Sequence, residues 1–120
     1  MKHVFSSAAL ATALVLSAGT ASATVKIGFM LPYSGTYAKL GQAIENGFKL
    51  YVKEQGGKLA GQDIEYFKVD DESNPSKGPE NANRLIKRDH VDILVGTVHS
   101  GVAMALAKAA KDSDTTLIIP

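Results

Sequence analysis

Two short stretches of this 120-residue chain gather side chains able to hold a small anion. Pro32–Thr36, with Tyr37 directly behind it, offers Tyr33, Ser34 and Tyr37; Gly96–Gly101 offers His99, Ser100 and Gly101. Hydroxyl groups and unpaired N–H groups at a helix start suit a carboxylate, because the dipole end there is positive. Each residue also has a plainer use. Ser100 either contacts a ligand through its hydroxyl or caps the helix that follows. Ser34-Gly35 either touches a ligand or makes the turn. Tyr33 and Tyr37 either stack on a ligand or pack against a sheet, and His99 either hydrogen-bonds a ligand or is a partly buried structural histidine.

Catalytic arrangements are missing. The first strand is not followed by G-x-G-x-x-G, and neither G-x-x-x-x-G-K-[ST] nor a G-x-S-x-G elbow occurs. The neighbours His99 and Ser100 cannot readily act as base and nucleophile on each other. With three histidines and no cysteine in the whole chain, a zinc site is hard to assemble. Asp70-Asp71-Glu72 resembles a metal cluster but lacks the spacing of a calcium loop, so a solvated strand-end loop is expected there. The residues describe a binder rather than an enzyme, with no catalytic residue, metal or cofactor.

The elements that must position these loops follow from periodicity. Val25, Ile27, Phe29 and Leu31 alternate as a strand, and Pro32 breaks it. Leu40, Ile44, Phe48, Tyr51 and Val52 recur at helical spacing up to Gly56-Gly57, and Glu45 stands four residues before Lys49, a favourable helix pair. Asp63–Asp70 reads as a second, more polar strand near an edge. A helix starting near Ser76, capped by Asn74 or Ser76, carries Ala82, Leu85 and Ile86 inward and ends near Arg88. Val91–Val95 is a short buried strand, Val102, Ala105, Leu106 and Ala109 mark a third helix, and Thr116–Pro120 reads as a buried fourth strand. The order β-α-β-α-β-α-β predicts an α/β fold, a parallel sheet sandwiched by helices with right-handed crossovers. If the strand order is 2-1-3-4, the crevice beyond the carboxyl ends opens between strands one and three, between the two loops singled out above.

The remaining features concern export and partners. Met1-Lys2-His3, the apolar run Ala8–Ala18 and Ala21-Ser22-Ala23 have the layout of a secretory signal peptide over residues 1–23, too short in its apolar part to span a bilayer. Its removal takes Lys2 from 13 Lys+Arg, leaving 12 against 12 Asp+Glu. A neutral mature chain with no basic cluster argues against nucleic acid and against membrane attachment after cleavage. Without cysteine it has neither disulfides nor a lipid-anchored cysteine. A bacterial periplasm is the expected compartment. The apolar end at Ile118-Ile119-Pro120 makes a truncated chain the expectation.

Val25–Leu31 running into Pro32-Tyr33-Ser34-Gly35 resembles the opening of a type I periplasmic solute-binding protein of the leucine/isoleucine/valine-binding group. Gly41 with the helix to Gly56-Gly57, the Asp70–Pro75 loop, and Asp92–Gly96 leading into Ser100-Gly101 agree in order over the whole stretch 24–120. The resemblance implies part of the first lobe of a two-lobed protein that closes on a ligand and delivers it to the permease of an ABC importer. It implies a small carboxylate as ligand, such as a branched-chain amino acid or an aromatic or other organic acid. Ser100 matches the position holding the carboxylate, and Tyr33 and Tyr37 fall where the family has contacts. His99 departs from the small residue of plain branched-chain amino-acid binders and points toward an aromatic or organic acid. A ligand-sensing receptor module of the same fold is the alternative, and a secreted hydrolase is a more distant one.

Overall fold

The computed structural model describes residues 23–120, so the signal peptide expected at 1–23 lies, but for Ala23, outside the described residues. Strand β1 (Val25–Leu31) leads into helix α1 (Ala38–Glu54), then β2 (Ile64–Asp70). A 3-10 turn (Pro75–Lys77), helix α2 (Gly78–Asn83) and a π turn (Arg84–Arg88) form one continuous crossover to β3 (Ile93–Val95). Helix α3 (Ser100–Asp112) and β4 (Thr116–Ile118) follow. The sheet order is β2-β1-β3-β4, with every pairing parallel. This is the expected α/β architecture and the expected order, with β2 at an edge.

Parallel strands need crossovers, and these lie on both faces. One face of β1 puts Ile27, Phe29 and Leu31 against Ile44 and Phe48 of α1. Phe29 meets Phe48 edge-on at 5.4 Å between ring centroids and stacks on Tyr66 at 5.7 Å. The other face puts Met30 and Leu94 against Ala82 and Leu85 of the second crossover and Val102, Leu106 and Ala110 of α3. Burying side chains of this size stabilises by about 1.5–3 kcal/mol each.

Four expectations about packing need correction. Leu40 and Tyr51 share the helical spacing of the core positions of α1 but are exposed. Glu45 takes a core position instead, because Lys49 (2.5 Å) and Lys68 of β2 (2.8 Å) neutralise it there. Burial pushes its carboxyl up, but both ammonium groups outweigh this and hold it below the usual glutamate range. The third strand is shorter than Val91–Val95. In the fourth strand Thr116 and Ile118 are exposed rather than buried; among the described residues it pairs with β3.

Candidate functional site

The carboxyl ends of β1, β2 and β3 are adjacent, and a hydrogen-bond network ties their loops together. Asp71, directly after β2, is fully buried. Its N–H donates to the Leu31 carbonyl (3.1 Å), its carboxylate accepts from the Ser73 N–H (2.7 Å), and the Thr97 hydroxyl donates to it. Thr97 belongs to the β3–α3 loop, so Asp71 reaches past the end of β1 to hold that loop. Among the described residues no cation pairs with it. Asp70 acts on the other side: its Oδ1 accepts the N–H groups of Tyr33 and Glu72, both at 2.9 Å. Of the solvated loop expected at Asp70–Glu72, Glu72 is exposed as expected, but Asp71 is buried and Asp70 half-buried, their carboxylates taken by N–H and O–H donors of the neighbouring loops.

Burial pushes the Asp70 carboxyl up, but the Ser34 hydroxyl and N–H, with the N–H groups of Tyr33 and Glu72, hold it below the usual aspartate range. A depressed value means the folded chain binds this proton less readily than the unfolded chain. The contribution is therefore complete above about pH 4, the unfolded value, and fades as pH falls through the lower folded value. Asp70→Asn is expected to cost about 1–2 kcal/mol at pH 7, with the difference from wild type shrinking toward pH 2. Urea unfolding at both pH values checks this.

The start of α3 is built differently from the sequence expectation. The capping residue is His99, not Ser100: its backbone is extended, and its Nδ1 accepts the Gly101 N–H at 3.0 Å. With Nδ1 accepting, Nε2 is the ring nitrogen left to donate. The His99 carbonyl accepts the N–H groups of Val102 and Ala103, both at 3.0 Å. Ser100 is the first helical residue and is exposed, which releases its hydroxyl from the capping role. Gly101 spends its N–H on His99, and a Cβ there would stand 2.8 Å from Pro75 Cγ, so its smallness lets α3 start against the preceding loop.

The first loop divides. Tyr33 packs with the α1-side core, with Lys68 Nζ 4.3 Å above its ring and its hydroxyl buried beside Glu45. Burial, reinforced by Glu45, pushes that hydroxyl well up. Ser34 sits beside Asp70, in the turn role. Tyr37 occupies the cap position of α1 without a side-chain capping bond and is partly exposed. The structure thus brings His99 and Ser100 together at the α3 start, with Tyr37 at the α1 start, and draws the side chains of Tyr33 and Ser34 into the frame. A groove of about 410 Å³ between α2 and α3, lined by Pro79, Ile86, Ala105 and Ala109, includes none of these residues. Asp71 and Thr97 escaped sequence reasoning as site-forming residues; an acidic residue one step past a strand was their only signal.

The model of the family described as periplasmic binding protein matches residues 24–120. The chain belongs to this family. Among periplasmic binding proteins it is 31% identical over 121 residues to the Leu/Ile/Val-binding protein homolog 1 of Brucella abortus, covering 99% of this chain and 32% of that relative. It is similar to the solute-binding protein of an ABC transporter from R. palustris solved in complex with benzoate: 53% identity, TM-score 0.80, 82% of this chain and 27% of that one. A second such protein, from Rhodopseudomonas palustris BisB5 in complex with 3,4-dihydroxybenzoic acid, is 33% identical with TM-score 0.75, covering 80% of this chain and 26% of that one. The chain therefore spans about a third or less of the length of these relatives. Their membership in the solute-binding class agrees with the resemblance drawn from the ordered blocks of residues 24–120.

Proposed function

We propose that residues 24–120 form part of the first lobe of an ABC-importer substrate-binding protein that captures a small aromatic carboxylate in the periplasm and presents it to a membrane permease. The observation that carries this reading is the start of α3, where an exposed Ser100 hydroxyl stands beside a His99 ring whose free nitrogen is a donor. Two donors at a positive helix end suit a carboxylate. The likeness to the benzoate-binding R. palustris protein supports an aromatic acid over a branched-chain amino acid.

In this reading Ser100 and His99 Nε2 hold the carboxylate and Tyr37 borders the ring. Tyr33, Ser34 and Gly101 keep the loops in place. The protein binds and releases without turning its ligand over, using no metal or cofactor, and a second lobe closes over the ligand by a hinge. In this reading residues 1–23 are a signal peptide that directs export. Calorimetric titration of the full-length protein with benzoate, 4-hydroxybenzoate and leucine tests the reading: the benzoates are expected to bind and leucine to bind at least tenfold more weakly, a difference of about 1.4 kcal/mol. Tight leucine binding without benzoate binding overturns it. Ser100→Ala is expected to weaken benzoate binding about 10- to 100-fold, from loss of a charge-assisted hydrogen bond, with the melting temperature unchanged.

A further inference from the structure

We propose that Gly101 and Pro75 are positioning residues that hold the His99 imidazole in a slot and set ligand affinity through it. The proposal rests on the reading of His99 Nε2 as a carboxylate donor. The bond from the Gly101 N–H to His99 Nδ1 (3.0 Å) fixes one point of the ring and leaves the ring able to tilt about it. A second contact decides the tilt. A Cβ built on Gly101 would lie 2.8 Å from Pro75 Cγ, 3.1 Å from His99 Cε1 and 3.2 Å from His99 Nδ1. The pyrrolidine and imidazole rings therefore flank one small space, and glycine is the residue that leaves it open. Gly101 stands in the first turn of α3 without a positive φ, so space rather than conformation asks for glycine there.

The other walls of the slot cannot retreat. Pro75 has no rotatable side chain and opens a 3-10 turn that is held on both sides. Its cap, Asn74, accepts the Ser76 N–H at 3.0 Å and donates its own N–H to the Asp71 carbonyl at 2.8 Å. One turn along α3, a Cβ on Gly78 would lie 2.8 Å from Ala105 Cβ, so this segment and α3 meet closely at a second point. Val102, between the two contacts, is fully buried and keeps the helix from sliding. The imidazole, on a rotatable side chain, is the neighbour of position 101 that gives way. A methyl added there tilts the ring away from the Gly101 N–H. Because Nδ1 and Nε2 belong to one rigid ring, that tilt also re-aims the Nε2 donor.

Calorimetric titration of the full-length protein with benzoate, in two backgrounds, tests this. Gly101→Ala is expected to weaken binding about tenfold, from loss of one aligned hydrogen bond to a charged group. Pro75→Ala, which adds no clash and keeps the test open if Gly101→Ala fails to fold, is expected to weaken it about threefold. In the His99→Ala background each change is expected to alter affinity less than about twofold, because no ring is left to aim. A merely structural role would act equally in both backgrounds, and that result overturns the proposal. So does wild-type affinity in either single variant. Nitrogen-15 shifts of the His99 ring at about pH 8, above the ordinary histidine range, give a readout that needs no ligand. The wild type is expected to show an unprotonated Nδ1, and both variants a shift toward the mixed tautomers of an unrestrained ring; wild-type shifts in both overturn the proposal. Benzoate binding that is absent from the wild type, or unmoved by His99→Ala, instead overturns the reading of His99 as a donor, and this proposal with it.

Discussion

Gly96→Ala is expected to be among the most damaging single substitutions in residues 24–120, costing more than about 3 kcal/mol and removing the cooperative unfolding transition at physiological temperature. Gly96 closes β3 at φ +154°, and a Cβ built on it would lie 1.9 Å from the Met30 carbonyl oxygen. Both atoms belong to backbone. Met30 sits in the central strand, fully buried between α2 and α3, so no flexible side chain can yield. The Gly96 N–H also donates to the Ile118 carbonyl at 3.0 Å, so displacing residue 96 disturbs the β3–β4 pairing as well. Thermal unfolding followed by circular dichroism checks this; a melting temperature within a few degrees of wild type would contradict it.

Asp71→Ala is expected to cost about 2–4 kcal/mol, and Asp71→Asn roughly 1 kcal/mol. Alanine removes the acceptor for the Thr97 hydroxyl and the Ser73 N–H, and leaves both in a region where Asp71 and Thr97 are almost wholly hidden from water. Asparagine keeps the shape and an acceptor for Ser73, while its amide can donate to Thr97. Because the lost bond releases the β3–α3 loop, ligand affinity should fall along with stability in Asp71→Ala. Ser100→Ala should lower affinity alone. A double-mutant cycle with Thr97→Val, read by urea unfolding, isolates the pair; a coupling below about 0.5 kcal/mol would mean that the two residues act independently.

The contrast between these variants shows where the sequence is informative. The alternation Val25–Leu31, the apolar spacing of α1 and α3, and the short run ending at Val95 are local patterns. Each reports one element's own buried face, so strands, helices and their alternation are legible residue by residue. The two loops are legible for a related reason: in a parallel sheet the strand ends feed helix starts on one side, whatever the side chains. Leu40 and Tyr51 mislead because apolar spacing marks a face without saying what covers it. Glu45 misleads in the opposite sense, because its burial depends on Lys68, 23 residues away on a neighbouring strand.

Chemistry within the loops was less legible. Capping preference favours serine, which pointed to Ser100 as the cap. The helix starts one residue earlier in its capping geometry, and an imidazole nitrogen does the work. That single-residue shift turns Ser100 from a structural residue into a free donor and leaves Nε2 as the histidine nitrogen able to donate, and no local pattern distinguishes the two registers.

By itself the sequence determined the alternating α/β order, the parallel sheet and the two loops at its switch point, because hydrophobic periodicity and turn residues act over a few positions. The tertiary structure alone decided which loop residues are spent on the frame and which remain free. Asp71 with Thr97, and Asp70 with Tyr33, join residues 26 and 37 positions apart. Whether a hydroxyl or carboxylate is consumed depends on the donors that folding brings within about 3 Å of it, a distance that no spacing along the chain specifies.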